Sequence, residues 1–589
     1  MLPLEPDPKP TQRWFIRILR GAIIVAALSA IILAILGSPR FTQFFWPSPP
    51  SNHTSAFAQQ ESATPSNQPT ATETLTPTLT ATPFSPQPFE AGGATSLDGL
   101  MVLSLYESGY AQIFSHQLLG QPFTRLTSGN WDDIDPALSP DGQHIAFASD
   151  RSGAWDLYLL NLLTGATTQI TEDKEFDGHP AWSPDGAWLL YEHYADSDQE
   201  IYIQPIDGSV DPVRISAGNG ADYAPAWRPN AQQIAFVSDR GGAAQIWLVD
   251  LEAEGDARFQ QLVDIARIQN SPAWSPDGDW LAWSQLEDGT WTIYAQNFND
   301  SNSTPRRIGL GEDPHWSFSG STILAELHGA NETYLTAYTL SGGMALALEL
   351  MPSHLDGIAW GIGSLPDPMP EPFITASQAT PSTIPIRSSN SIVDLTDVNA
   401  PFPQLSAAAQ PAFDALRASA AQLLGWDALS ELSNAFVPLD RPLPPDRQQD
   451  WLYTGRAFEL HSGLLDADWM AIVKEEFKGN TYWRVYLKAA GDLGRPLTEL
   501  PWDLRARFSR VESDYQAGGE LVESVPAGSW LDFTALATDF GFERVPALSN
   551  WRSYYPGALF NLFVFRQGLT WEDAMLQLYS PEEVGALQP

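Results

Sequence analysis

The stretch "PAWSPDG", Pro180–Gly186, decides the fold because it recurs. "PALSPDG" begins at Pro136, "PAWRPNA" at Pro225, "PAWSPDG" again at Pro272 and "PHWSFSG" at Pro314. "GIAWGIG" at Gly357 keeps only the centre of the pattern. Successive copies lie 42–47 residues apart. A period near forty with strand-like content signals a propeller or array, not a solenoid of helices. Within each copy "PAW" reads as a short strand whose Trp packs between neighbouring sheets. "SPDG" then turns the chain: Pro fixes φ, Asp bonds its own backbone and Gly takes the left-handed position. An apolar strand follows, such as "HIAFAS" at His144 or "QIAFVS" at Gln233, then a polar turn, a third strand such as "DLYLLNL" or "QIWLVDL", and a short fourth. Four strands per repeat make one propeller blade.

The ends of this region complement each other. Met101–Thr127 holds strands two to four of a blade with no first strand, and Ile358–Gly361 holds a first strand with no followers. Joined as one blade, 101–127 with 358–361, they close the ring and leave no open sheet edge. The expectation is an all-β six-bladed propeller over 98–364. The Pro-x-Trp-Ser-Pro-Asp-Gly repeat resembles the TolB-type (WD40-like, PD40-repeat) propeller family. The resemblance implies a central channel with function at its rim. Residues just before each inner strand should face one rim: Asp133, Asp135, Asp177, His179, Asp222, Tyr223, Asn270, Glu312, Asp313 and Asp356. Such a ring suits a cation or a basic peptide. The plainer reading is that these groups bond the turns between blades. Acidic residues far outnumber basic ones here, so a basic ligand is the electrostatically sensible one.

Before the repeats, "GAIIVAALSAIILAILG" (Gly21–Gly37) has no charge, and with Trp14–Leu19 it is long enough to span a bilayer. Lys9, Arg13, Arg17 and Arg20 precede it, which places the N-terminus in the cytoplasm and the bulk of the chain outside. We therefore expect a cytoplasmic tail (1–13), a single-pass signal anchor (14–37) and a Ser/Thr/Pro-rich linker (38–97) that cannot bury a core. The competing reading is a cleaved signal peptide, whose Ala-x-Ala pattern at Ala56–Ala58 lies far past the apolar run. The formal net charge is −40, which opposes any nucleic-acid role. The chain has no cysteine, so disulfides, thiolate metal sites and cysteine nucleophiles are excluded. No Gly-x-Ser-x-Gly elbow occurs, against serine-hydrolase chemistry.

A second polar stretch (365–399) leads to an α+β domain over 400–589. "PAFDALRASAAQLL" has helical spacing, "WMAIVKEEF" and "TYWRVYLKA" read as a hairpin through "KGN", and "FTALATDFGF" and "TWEDAMLQLY" as helices, the last with Thr570 and Asp573 as an N-terminal cap. "WLYTGRAFELHSG" (Trp451–Gly463) resembles the signature of zinc D-alanyl-D-alanine carboxypeptidases, Ser-x-His-x-x-Gly-x-Ala-x-Asp. Gly455 and Ala457 match it. Asp450 stands at the serine position, Leu452 at the zinc histidine and Glu459 at the zinc aspartate. No His follows His461, and a catalytic zinc needs three protein ligands and an open position. The motif is therefore degenerate, and no catalytic residue, metal or cofactor is expected. The sequence favours a membrane-anchored, extracytoplasmic, non-catalytic binding or scaffold protein of the cell envelope, with a protein or peptide partner. The resemblance adds cell-wall peptide as a second ligand. The alternative is a cell-wall D,D-carboxypeptidase-like metallopeptidase with a rearranged metal site.

Overall fold

The computed structural model describes residues 99–587, apart from 108, 117–122, 217–219, 263–266, 288, 376–390, 492–493 and 523. The segment 14–37, expected to span a membrane, and the linker 38–97 lie outside the described residues. Among the described residues no helix is long and apolar enough to cross a membrane.

Six antiparallel sheets follow the sequence period. Blade one begins at Asp133–Leu138, blade two at Phe176–Trp182, blade three at Asp222–Trp227, blade four at Gln269–Trp274 and blade five at Glu312–Trp316. Each of these five adds three further strands in simple order. Blade six takes its inner strand, Leu355–Gly361, from the far end of the repeats and pairs it with Leu100–Glu107, Met101 opposite Trp360. The inner strand of each blade touches that of the next, and blade six touches blade one, so the ring is closed.

The repeat motif explains the packing. In the turn, the Gly142 amide donates to the Ser139 carbonyl at 2.8 Å and Ser139 Oγ donates to Asp141 at 2.6 Å. Gly142 has φ +68°, and a Cβ there would meet the Ile362 carbonyl at 2.3 Å. The same turn in blade three reads "RPNA", and the left-handed residue moves one place earlier, to Asn230 at φ 63°, because Ala tolerates that region poorly. Trp182 Nε1 donates to the Ala137 carbonyl and Trp316 Nε1 to the Ala273 carbonyl, each at 3.0 Å. The Trp of one blade is thus fastened to the inner strand of the blade before it.

The polar stretch 365–399 is expected to be a linker, but both its ends belong to the fold. Phe373 is buried with Leu126 and Ile145 of the propeller, and Ile374–Thr375 adds a fifth strand to blade six. Ile392–Asp394 pairs with Gln404–Ser406. Apolar residues within the polar stretch explain this: Phe373 and Leu395 have cores within reach, and both are buried.

The C-terminal domain has its own core. Helix Gln410–Leu424 and helix Phe533–Asp539 pack on two four-stranded sheets. Phe413, Phe458, Phe533, Phe542 and Phe563 meet at its centre, with Phe458 stacked on Phe563 at 5.6 Å. The expected hairpin spans Met470–Phe477 and Asn480–Lys488. Its turn is two residues, not three: Lys478 and Gly479 both have positive φ, and Asn480 opens the second strand, as the tightest hairpin turn requires. Thr570 and Asp573 form the expected capping box.

Candidate binding face of the propeller

The residue before the motif proline is left-handed in five blades: Asp135, His179, Ala224, Ser271 and Asp313 have φ of 47–51°. Gly357 holds the same place in blade six at φ +105°. Left-handed backbone is uncommon for side-chain-bearing residues and is disfavoured before proline. Each site coincides with a shift of register against the second strand, as between Ile134 and Ala137 in blade one. These are β-bulges, and a bulge re-aims a side chain.

The bulge sorts the expected rim residues into separate registers, so they do not form one ring. Two places before it stand Asp133, Asp177 and Asp222, all buried. Each pairs with a basic side chain of its own blade: Asp133 with Arg151 at 2.6 Å, Asp222 with Arg240 at 2.6 Å and Asp177 with His193 at 2.8 Å. One place before the bulge stand Tyr223, fully buried, Asn270, whose Oδ1 accepts from the Ser271 amide, and Asp356. At the bulge itself Asp135, His179 and Asp313 turn into the channel.

Here the charges converge. His179 Nδ1 lies 3.3 Å from Asp135 and 3.7 Å from Glu192. Glu192 also accepts the Ala224 amide of the next blade at 2.6 Å. Asp313 pairs with His315 at 2.9 Å, and its amide donates to Ser284 Oγ of blade four at 3.0 Å. Burial opposes a charged His179, but Asp135 and Glu192 outweigh it and raise its pKa to about 10. Its side chain still keeps 47% of its surface, open to the channel.

The C-terminal domain covers this face. Arg495 grips Asp356 through both terminal nitrogens, at 2.8 and 2.9 Å. Arg484 donates to His354 Nε2 at 2.9 Å and to Asp532 of its own domain at 2.6 Å. Arg544 donates to the Ala330 and Gly329 carbonyls and pairs with Glu475 at 2.5 Å. The Gly528 amide donates to Tyr194 Oη at 2.7 Å. Gly109 lies against Phe540, and Gly289 against Glu476. Blades two, four, five and six are all engaged. A cavity of about 300 Å³ remains between the two domains, lined in part by Tyr106, His328, His354, Arg484 and Arg544. Burial, then Arg484, drives the His354 pKa down to about 4 and lowers that of His328. Burial, then neighbouring carboxylates, pushes Glu312 and Glu326 well up.

Sequence reasoning missed Arg484, Arg495 and Arg544. The one available signal was electrostatic: the acid-rich rim calls for cations, and these arginines belong to the same chain.

The carboxypeptidase-like motif is embedded elsewhere. Asp450 caps the turn Trp451–Thr454 by accepting the Leu452 amide at 2.9 Å. Leu452 is fully buried in an apolar cluster with Met575 and Val564. Glu459 is held by Arg447 at 2.7 Å, and the same guanidinium holds Asp450 at 2.6 Å. Gly455 has φ +63°, and a Cβ there would lie 3.0 Å from the Ser406 amide nitrogen. Ala457 is buried on the strand behind it. His461 is half-exposed, 3.8 Å from Glu431. Among the described residues of this domain, no three His, Asp or Glu side chains converge closely enough to hold a metal ion.

Residues 179–357 match the family model described as the TolB beta propeller domain. The propeller is TolB-like. A TolB homolog of Chlorobium chlorochromatii is 32% identical over 152 residues, 26% of this chain and 34% of the relative. A protein of Agrobacterium fabrum is 27% identical over 167 residues, 27% of this chain and 57% of the relative. The peptidase YuxL of Bacillus subtilis is 31% identical over 164 residues, 27% of this chain and 22% of the relative. The chain thus spans between about a third and somewhat over half of the TolB homolog and the Agrobacterium protein. Among solved structures, TolB of Acinetobacter baumannii matches 45% of this chain and 67% of its own at 22% identity, with a TM-score of 0.42. The family-model match and the TolB homolog support the TolB-like propeller and leave the C-terminal motif to be judged on its own residues.

Proposed function

We propose that this chain is a cell-envelope binding or scaffold protein that works without catalysis, anchored by one N-terminal helix with its bulk outside the cytoplasm. Its TolB-like propeller takes a basic protein or peptide at the acid-lined face, and its C-terminal domain occupies that face in the absence of a partner. The observation that carries this reading is the grip of Arg495 on Asp356 at the mouth of the channel. The face accepts guanidinium groups, and the chain supplies them itself. The buried Arg447–Glu459 pair supports binding over cutting, because a guanidinium stands where the zinc ligand set of a peptidase would be. Cell-wall peptide as a second ligand rests only on the motif resemblance.

Fluorescence anisotropy with a short arginine-bearing peptide and a charge-reversed control tests the reading. The variant Arg495→Ala should bind the basic peptide at least about tenfold more tightly than the parent chain, since an internal competitor worth about 1.4 kcal/mol has gone. Equal binding by both proteins, or equal binding of both peptides, would contradict it.

A further inference from the structure

Among the described residues, blade two carries a side-chain cluster with no counterpart in its sister blades. Asp177 and His193 face each other as cross-strand partners, with His193 Nδ1 2.8 Å from Asp177 Oδ1. Asp173, on the connection leading into the blade, completes the group. One ligating atom from each residue lies within 4.8 Å of the other two. Asp177 is fully buried and its Oδ2 has no hydrogen-bond partner, as is true of one oxygen of Asp133 and of Asp222 in the sister blades. Asp173 is exposed and gives the cluster a path to solvent.

The internal repeat shows what this position normally holds. In blades one and three the equivalent carboxylates, Asp133 and Asp222, face Arg151 and Arg240. Each arginine stands two residues after the cross-strand serine, Ser149 or Ser238. In blade two the cross-strand residue is His193, and two residues later the chain has Ala195. The guanidinium is gone, an imidazole has come in, and Asp173 adds a second carboxylate where blade one has Gly129. Two carboxylates and one imidazole now surround a place that elsewhere holds a cation.

We propose that Asp173, Asp177 and His193 bind a divalent transition-metal cation of the Zn²⁺ or Mn²⁺ class, in the place of the missing guanidinium. Imidazole with carboxylates suits these ions, whereas Ca²⁺ takes six to eight oxygens and Mg²⁺ holds its water. On binding, the Nδ1 proton of His193 leaves to solvent and the Nδ1–Oδ1 hydrogen bond is replaced by two bonds to the ion. Solvent at the Asp173 side fills the remaining positions. No metal is expected anywhere in the chain from sequence, so this site departs from that expectation.

The test is calorimetric titration of the purified, chelator-treated full chain with Zn²⁺, and counting of free Mn²⁺ by electron paramagnetic resonance. One site per chain is expected. Asp173→Ala, at an exposed position, and His193→Gln should each weaken it at least about tenfold. Ala195→Arg should restore the sister-blade arrangement and abolish binding, with thermal unfolding as the check on the fold. Binding that is unchanged in Asp173→Ala and His193→Gln would overturn the proposal, because the ion then sits elsewhere on this acidic chain. So would the lack of any site tighter than on the order of 100 µM. Should Ala195→Arg not fold, the Asp173→Ala result still decides.

Discussion

The propeller and the C-terminal domain handle buried charge in opposite ways. In the propeller two buried inner-strand aspartates find their cations within their own blades, Asp133 with Arg151 and Asp222 with Arg240. In the C-terminal domain Arg484, Arg495 and Arg544 reach out of their fold to the propeller. A repeated unit solves its electrostatics locally, and blades one and three share the same solution. A single-copy domain can place cations to suit a neighbour. The proposed binding function rests on this boundary, where Asp356 at the channel mouth meets Arg495 from outside.

The sharpest way to break the comparison is to damage each region in its own core. Trp316→Ala removes a buried side chain that fastens blade five to blade four, and it should lower propeller stability by about 3–5 kcal/mol in chemical denaturation. Loss below about 1 kcal/mol would mean that the repeat motif does not hold the blades together. Arg447→Met leaves Asp450 and Glu459 buried without their shared cation, and should cost about 3 kcal/mol. The same variant should gain no peptidase activity on a D-alanyl-D-alanine substrate with added Zn²⁺. Zinc-dependent cleavage would restore the metallopeptidase reading.

A pH series sharpens the boundary itself. The folded pKa of His354 is depressed to about 4, with Arg484 donating to its Nε2 and Arg495, His328, Asp356 and Asp532 nearby. Its contribution is therefore fully present above the unfolded value of about 6.5 and is lost as pH falls from there through 4. Contact between the domains should weaken across that window, read as lower amide protection factors (the intrinsic exchange rate at each pH divided by the observed rate) at Gly329–Asn331, and His354→Asn should flatten the response. The smallest effect concerns the C-terminal edge: Thr570→Ala removes one partner of the capping box and should cost about 1 kcal/mol.

Much of the propeller was legible because its information is repeated. One "PAWSPDG" states a strand and a turn, while six related copies state a closed ring. The registers within the rim were not legible. Asp133, Asp135 and Asp356 look alike in sequence, and only the bulge before the motif proline sends one into the blade and another into the channel. The cue was present: a side chain wedged between two strand signals and followed by proline. The docked face was illegible for a different reason. Arg495 and Asp356 lie 139 residues apart and share no motif. "WLYTGRAFELHSG" shows the converse, since its missing ligands could be read directly, while the guanidinium of Arg447 that meets Glu459 could not.

The central claim is that the C-terminal domain sits on the acid-lined face of the propeller. The absence of native cysteines makes it directly testable. A Cβ at Gly289 would lie 3.9 Å from the Cβ of Glu476, within the span of about 3.5–4.5 Å that a disulfide needs. The paired substitutions Gly289→Cys and Glu476→Cys should give near-complete intramolecular disulfide on mild oxidation, read by intact mass and by protection from alkylation. Two thiols that stay free and alkylate as fast as in the denatured chain would contradict it.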